Sequence, residues 1–420
     1  MKFLPTLAMA VLLPAAALLS ATAIRADTAA DRFAAKRSFS TDIWVQWLPV
    51  TDMVNSPDFL DVYPDYPRTV PLGIFARLHR QGFDTIRIAA DPSPLLALAG
   101  TPREAGLLTN LRQRVTEAQS AGFKVILDMH AYPHAGETGD IDAILATPAK
   151  FQDYLTMIGK VGARIADLDP NLTAFELMNE PTQDCDQIYS DPAASNWPQQ
   201  LKRLHDAARA TAPKLPLVLS GACWGGSKGL SVLDPAAIGD NNVIWSFHTY
   251  DPCSFSHQGA SWTNSPLMFI KGLPYPAATL TDSKAIQIVK DALARAKAAS
   301  GPVADATTRA DLSQIVTDYR NTPATDAISA AIAEATTWAD TNGIPRRRLF
   351  LGEFGALWFD DQGVRADPDS HARFLSAKRR AAEAAHVGWS VWSFSGSFGI
   401  TGANMRLYPL VCTALGLTKC

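Results

Sequence analysis

The sequence predicts an α/β protein: a closed parallel (β/α)8 barrel of the TIM type, with a long helical insertion after its sixth strand. Three observations carry that expectation. Short β-branched or apolar runs alternate with longer segments of helical spacing, the pattern of a parallel sheet with crossover helices. The strand-like runs number eight over about 350 residues, the count that closes a barrel. No Gly-x-Gly-x-x-Gly turn follows an early run, where a doubly wound open sheet usually announces itself.

In chain order the runs are 42–47, 85–89, 124–129, 172–178, 217–220, 243–248, 349–353 and 388–392. Helical spacing fills the gaps at 72–81, 104–121, 148–167, 197–211, 326–341 and 370–385, and Asn342-Gly343 is a C-terminal stop for the fifth of these. One gap is too long. About 100 residues separate His248 from Leu349, where a loop and a helix suffice. Within it, 281–299 and 307–319 read as helices. Residues 254–322 are therefore an insertion on the strand-six loop, at the face where such barrels work, serving as a lid, a subsite wall or a partner surface.

The chain has 420 residues, 47% hydrophobic, 19% charged and 9% aromatic. That much apolar material excludes disorder, and 26 Gly with 5 Cys exclude collagenous or disulfide-dense scaffolds. A net charge of −3 supplies no basic field toward nucleic acid or an anionic membrane. Lys2, the apolar stretch Phe3 to Ser20 and the small residues Ala21, Thr22, Ala23 and Ala26 read as a secretory signal peptide over 1–26. A retained anchor is the alternative, since about 18 apolar residues just span a bilayer. Cleavage leaves 27–420 as a single barrel domain, secreted or periplasmic, off the membrane and monomeric. Export permits disulfides. Cys412 and Cys420 are placed to staple the chain end, Cys223 and Cys253 either pair near the rim or stay free, and the odd total leaves a thiol over. The spacings match no zinc knuckle.

Barrels carry their working residues at the carboxyl ends of strands. The second run holds Arg87, and the third ends Asp128-Met129-His130. The fourth leads to Asn179-Glu180-Pro181, the sixth to His248-Thr249-Tyr250, the seventh to Gly352-Glu353-Phe354-Gly355 and the eighth to Trp392. Strands four and seven lie on opposite sides of an eight-stranded ring, so Glu180 and Glu353 face each other across its mouth. Two opposed carboxylates suit glycosidic bond cleavage: one, protonated, expels the leaving oxygen, and the other, charged, attacks or stabilises the anomeric carbon. Their surroundings must push their pKa values apart. Arg87 near Glu353 keeps that carboxylate ionised, with Tyr250 as a second donor. His248 hydrogen-bonds Glu180, and Asn179 donates to a sugar hydroxyl.

These motifs together, with Asp128-x-His130, His248-x-Tyr250 and the closing Trp389-x-x-Trp392, resemble glycoside hydrolase family five, the cellulase family of retaining β-glycanases. The resemblance runs from about residue 40 to 400, apart from the insertion. It implies the same barrel, Glu180 as acid/base and Glu353 as nucleophile. It puts Arg87, His130, Asn179, His248, Tyr250 and Trp392 at the remaining active-site positions, with Trp392 as sugar platform, and it implies no cofactor. A carbohydrate-binding module behind a flexible linker, frequent in that family, is not visible, which shifts the expected substrate from crystalline cellulose to soluble or amorphous glucan or oligosaccharide. The expectation is an exported endo-β-1,4-glucanase working by double displacement. Alternatives are the same chemistry on β-mannan, β-1,3-glucan, xyloglucan or a bacterial exopolysaccharide, or a sugar-binding barrel without catalysis.

Other residues have plainer readings. His130 and His134 have the i, i+4 spacing of a metal pair, but they follow a strand end rather than sit on a helix, so His130 reads as a sugar contact and no metal is expected. Asp128 braces the rim of strand three. Trp44, Trp47, Trp224 and Trp358 fall at rim or core positions, whereas Trp197, Trp262 and Trp338 read as packing residues.

Overall fold

Eight parallel strands close into a barrel in sequence order. They are β1 (Arg37–Ser40), β2 (Thr85–Ala90), β3 (Lys124–Met129), β4 (Thr173–Glu176), β5 (Leu217–Ser220), β6 (Val243–His248), β7 (Leu349–Phe354) and β8 (Gly388–Val391). This computed structural model describes residues 27–41, 72–133, 138–359 and 366–420. The expected first strand, 42–47, and the expected signal peptide, 1–26, lie outside the described residues. The first place in the barrel belongs to Arg37–Ser40, which pairs with β2 on one side and β8 on the other. Its sequence hid it. Ser38 and Ser40 are its fully buried polar residues, and Ser40 Oγ lies 3.0 Å from Ser390 Oγ. Only Phe39 contributes a large apolar side chain.

The helices follow from their apolar spacing. Pro148–Ile165 buries Phe151, Tyr154, Leu155, Ile158, Val161 and Ile165, a single stripe at helical period, and starts with proline at its first position. The helix Ala324–Thr341 ends before Gly343, whose φ of +65° is a left-handed conformation that glycine adopts without strain.

Inside the barrel, alternate residues of each strand point inward. The lower layer is apolar: Ile126, Ala174, Val218, Ile244 and Phe350 pack with Ala30 and Phe33 of a short helix, Ala29–Phe33, that closes the bottom. Thr28 and Asp31 cap that helix reciprocally, and Arg348 (2.7 Å) and Arg347 (2.8 Å) both reach Asp31. Against its burial, Arg348 and the Thr28 cap hold the Asp31 carboxyl well below the usual range.

Between β6 and β7 lies the insertion. Its helices Asp282–Ala298 and Arg309–Asn321 pack on each other through Ile288, Val289 and Ala292 against Leu312, Val316 and Tyr319. Cys412 and Cys420 form the expected staple. Cys223, however, pairs with Cys185 rather than Cys253: their Cα atoms are 4.7 Å apart although 38 residues separate them in sequence. Cys253 is free and exposed. Among the described residues no helix is long and apolar enough to cross a membrane.

Candidate active site

The strand alternation that fills the lower barrel with apolar groups turns polar two residues further on. Ile126 is followed inward by Asp128, Ala174 by Glu176 and Ile244 by Ser246, then His248. Register shifts between Phe247 and His248 on the β6 side, and between Leu351 and Phe354 on the β8 side, set His248 opposite Glu353 rather than Gly352. Gly352 is required there. A Cβ on it would sit 2.4 Å from Ser246 Oγ and 2.7 Å from His248 Nε2.

Arg87 is fully buried at the centre. Its Nε and Nη2 donate to the two oxygens of Glu176 at 2.7 and 2.9 Å. Its Nη1 donates to Glu353 Oε1 at 2.7 Å, and its Nη2 also reaches Asn179 Oδ1 at 2.8 Å and Asp128 Oδ2 at 2.9 Å. One guanidinium thus serves Asp128, Glu176 and Glu353, and their charges hold it protonated against its burial. The imbalance shows in the acids. Burial raises Glu176, and it pushes Asp128 up to about 7 although Arg87 opposes.

Glu353 is almost wholly buried and accepts a second hydrogen bond, 2.6 Å from the Tyr250 hydroxyl. Burial raises its pKa, while His248 and Arg87 pull it down. Glu180 is half-buried, with a left-handed φ of +35°, and lies 2.7 Å from His248 Nδ1. Burial pushes Glu180 up to about 7, against the pull of His130 and Arg87, and pushes His248 down to about 4, so that imidazole is neutral near pH 7. One carboxylate oxygen of Glu180, one of Glu353 and a ring nitrogen of His248 lie within 4.8 Å of one another. Among the described residues this is the group that has metal-ligand proximity, but both Glu353 oxygens are already taken by Arg87 and Tyr250, so a cation there would sit against a guanidinium.

All eight residues singled out in the sequence meet at this mouth. His130 joins through Asp128 (2.7 Å) and stacks parallel to Trp392 with ring centres 5.1 Å apart. Asn179 commits its amide oxygen to Arg87, which leaves its NH2 as the group able to donate. Asp128 braces more than the rim, since it links Arg87 to His130.

Sequence reasoning missed Glu176, and the signal was present: a carboxylate inside an otherwise apolar strand has no place against the helix layer. It also misplaced Trp262, which is 56% exposed in the cleft and not a packing residue. Trp224, 48% exposed, lines the same cleft and donates its backbone N–H to Pro181 O at 2.9 Å. Trp358 is core, with its indole N–H on Gly399 O at 3.0 Å, and Trp197 and Trp338 are buried as expected. Trp44, Trp47 and His134 lie outside the described residues.

Comparison with known families decides the kinship. The cellulase family, glycosyl hydrolase family 5, matches residues 72–397. The chain belongs to that family. Endoglucanase 3 of Fibrobacter succinogenes is 27% identical to this family-5 chain over 297 residues, 70% of this chain and 39% of the relative. Cellodextrinase A of Ruminococcus flavefaciens is 26% identical over 184 residues, 43% of this chain and 52% of the relative. The chain thus spans about 39 to 52% of the length of these curated relatives. The structure of Thermotoga maritima Cel5A with cellobiose has the same fold, with a TM-score of 0.61 at 17% identity over 93% of this chain and 100% of that one.

Proposed function

We propose that this family-5 protein is an exported retaining glycoside hydrolase that cleaves β-1,4-linked glucan internally. The observation that carries the mechanism is the approach of one Glu180 oxygen to one Glu353 oxygen within 4.8 Å. Retaining pairs stand about 5–5.5 Å apart, whereas inversion needs roughly 6.5–9.5 Å to admit a water between acid and sugar. Glu353 accepts two hydrogen bonds to its charged form, from Arg87 and Tyr250, which favours it as the ionised partner. Glu180, pushed up to about 7, carries a proton near neutrality.

In the first step a Glu353 oxygen attacks the anomeric carbon as Glu180 gives its proton to the departing glycosidic oxygen. A covalent glycosyl-enzyme results. In the second, ionised Glu180 takes a proton from water, the water oxygen attacks the anomeric carbon, and Glu353 leaves as carboxylate. In its Nδ1–H tautomer, neutral His248 donates to Glu180 Oε1 at 2.7 Å in both the acid and the carboxylate form, so the contact persists through both steps and the other oxygen carries the proton.

The glucan assignment rests on the relatives named endoglucanase and cellodextrinase. Export rests on the apolar leader and small-residue site of residues 1–26. The test is digestion of soluble β-1,4-glucan, mannan, β-1,3-glucan and xyloglucan with product sizing, followed by NMR of the newly formed anomer. Mixed short oligosaccharides from the β-1,4-glucan and a retained β-anomer are expected. An inverted anomer removes the double displacement, and products from another polymer alone move the substrate.

A further inference from the structure

Glu180 stands on backbone that an L-residue adopts only under constraint. Its φ of +35° is left-handed, a region that a Cβ disfavours. Such a conformation persists only where the surroundings over-determine it. The constraint comes from the loop after β5. There Cys223, Trp224 and Gly225 are left-handed in succession, with φ of +56°, +60° and +63°. Two of the three carry a Cβ, so this turn too is held against its preference.

The two loops hold each other. Trp224 N–H donates to Pro181 O at 2.9 Å, and Cys223 N–H donates to Gln183 O at 3.1 Å. The half-buried Cys185–Cys223 disulfide closes the set, with Cα atoms 4.7 Å apart. Three ties thus bind the residues directly after Glu180 to the left-handed turn. The next residue of that turn meets the acid and its imidazole. Gly225 O accepts from His248 N–H at 2.9 Å, and a Cβ on Gly225 would lie 3.7 Å from the His248 ring and 3.8 Å from Glu180 Cγ. The turn is backed as well. A Cβ on Gly229 would fall 2.0 Å from Ala222 O, so the short helix Ser227–Ser231 packs backbone to backbone behind it. The second disulfide, Cys412–Cys420, only joins the C-terminal segment to itself.

We infer that the Cys185–Cys223 bridge is a positioning element for acid catalysis: it fixes the left-handed turn after β5 and so holds the Glu180 carboxyl on His248 and at the departing glycosidic oxygen. The inference rests on the proposed glycanase reading and adds to it two cysteines that act through Glu180 rather than on the sugar. Its consequence is selective. Without the bridge, attack by Glu353 continues while protonation of the leaving oxygen weakens, so poor leaving groups suffer and good ones do not.

The test measures kcat/KM on phenyl β-cellobioside, whose leaving group needs the proton, and on its 2,4-dinitrophenyl counterpart, whose leaving group departs without it. The two carry the same sugar, so sugar binding cancels in their ratio. Cys185→Ser with Cys223→Ser lowers the phenyl-over-dinitrophenyl ratio about tenfold, and Cys412→Ser with Cys420→Ser leaves it at the wild-type value. An unchanged ratio, equal losses on both substrates, or a matching fall in the Cys412 and Cys420 variant overturns the inference. Should the first variant not fold, the ratio is read on the second after dithiothreitol. That dithiol passes two electrons to the remaining S–S bond, leaving two protein thiols and its own cyclic disulfide, and thiol counting confirms the cleavage. The same fall keeps the inference and an unchanged ratio ends it. If the wild type cleaves neither compound, the glycanase reading fails on its own. Positioning is then judged by NMR titration of the Glu180 carboxyl carbon, assigned through Glu180→Gln. A midpoint that drops by about one pH unit toward the ordinary carboxylate range on loss of the bridge keeps the inference, and an unmoved midpoint ends it.

Discussion

The two ends of one barrel make opposite use of the same strands. At the bottom, Ile126, Ala174, Val218, Ile244 and Phe350 meet the Ala30–Phe33 plug and exclude water. Two residues up, Asp128 and Glu176, with His248 one inward step higher, gather around Arg87 and Glu353, all buried. The lower end stabilises the fold by apolar burial. The upper end spends that stability, because three buried carboxylates share a single guanidinium and their pKa values are displaced upward. The lower end thus supplies stability, whereas the upper end, tied together by the hydrogen bonds of Arg87, supplies geometry at an electrostatic cost.

That contrast can be broken most sharply at Glu353. Glu353→Gln should lower kcat by about 10⁴-fold or more while leaving the melting temperature unchanged or raised, since it removes one acid from the crowded cluster. Turnover within tenfold of wild type on the cellobioside would remove Glu353 from the chemistry. Glu180→Gln should cost about 10²- to 10⁴-fold in kcat on substrates with poor leaving groups.

Glu180 also sets a pH signature. A general acid with a pKa near 7 is protonated below that value, so kcat/KM falls about tenfold per pH unit above it, and protonation of Glu353 sets a second fall on the acid side. The stability sign runs the same way. The folded state holds this proton more tightly than the unfolded chain, so the carboxyl costs stability as pH climbs from the ordinary carboxylate range to about 7. Glu180→Gln should flatten that part of the melting-temperature profile, and an unaltered profile would show that the carboxyl titrates normally.

The remaining changes compare the ends in stability. Arg87→Met leaves Asp128, Glu176 and Glu353 without their cation and should cost about 3–5 kcal/mol in denaturant unfolding, with activity lost as well. Phe33→Ala opens a cavity in the plug and should cost about 3–5 kcal/mol with kcat retained in the folded fraction. A matching loss of kcat would show that the bottom layer tunes the site directly. Arg348→Met should cost only about 1–2 kcal/mol, because Arg347 stays on Asp31.

Much of this was legible in the linear chain. Strands 124–129, 217–220 and 243–248 and helices 72–81 and 197–211 coincide with the observed bounds, because burial on both sheet faces or on one helix stripe imposes a local period. Glu180 and Glu353 were legible as facing groups because the ring places strands four and seven three strands apart, across the mouth from each other. Where the pattern is not apolar, reading failed. The Ser-rich β1 carries its inward polar groups into a serine contact across the barrel seam, so an apolar stretch nearby looked like the better strand.

The amino-acid order alone determined the barrel, its strand count, the placement of the insertion and the residue types at the rim, since each follows from periodicity along the chain. Only the tertiary structure decided who touches whom: Glu176 beneath Arg87, Cys185 rather than Cys253 beside Cys223, and Trp262 out in the cleft instead of in the core. Local period reports whether a side chain is buried or exposed. Which partner compensates a buried charge, and which face an aromatic ring leaves open, depend on segments far apart in sequence, and no period along the chain encodes them.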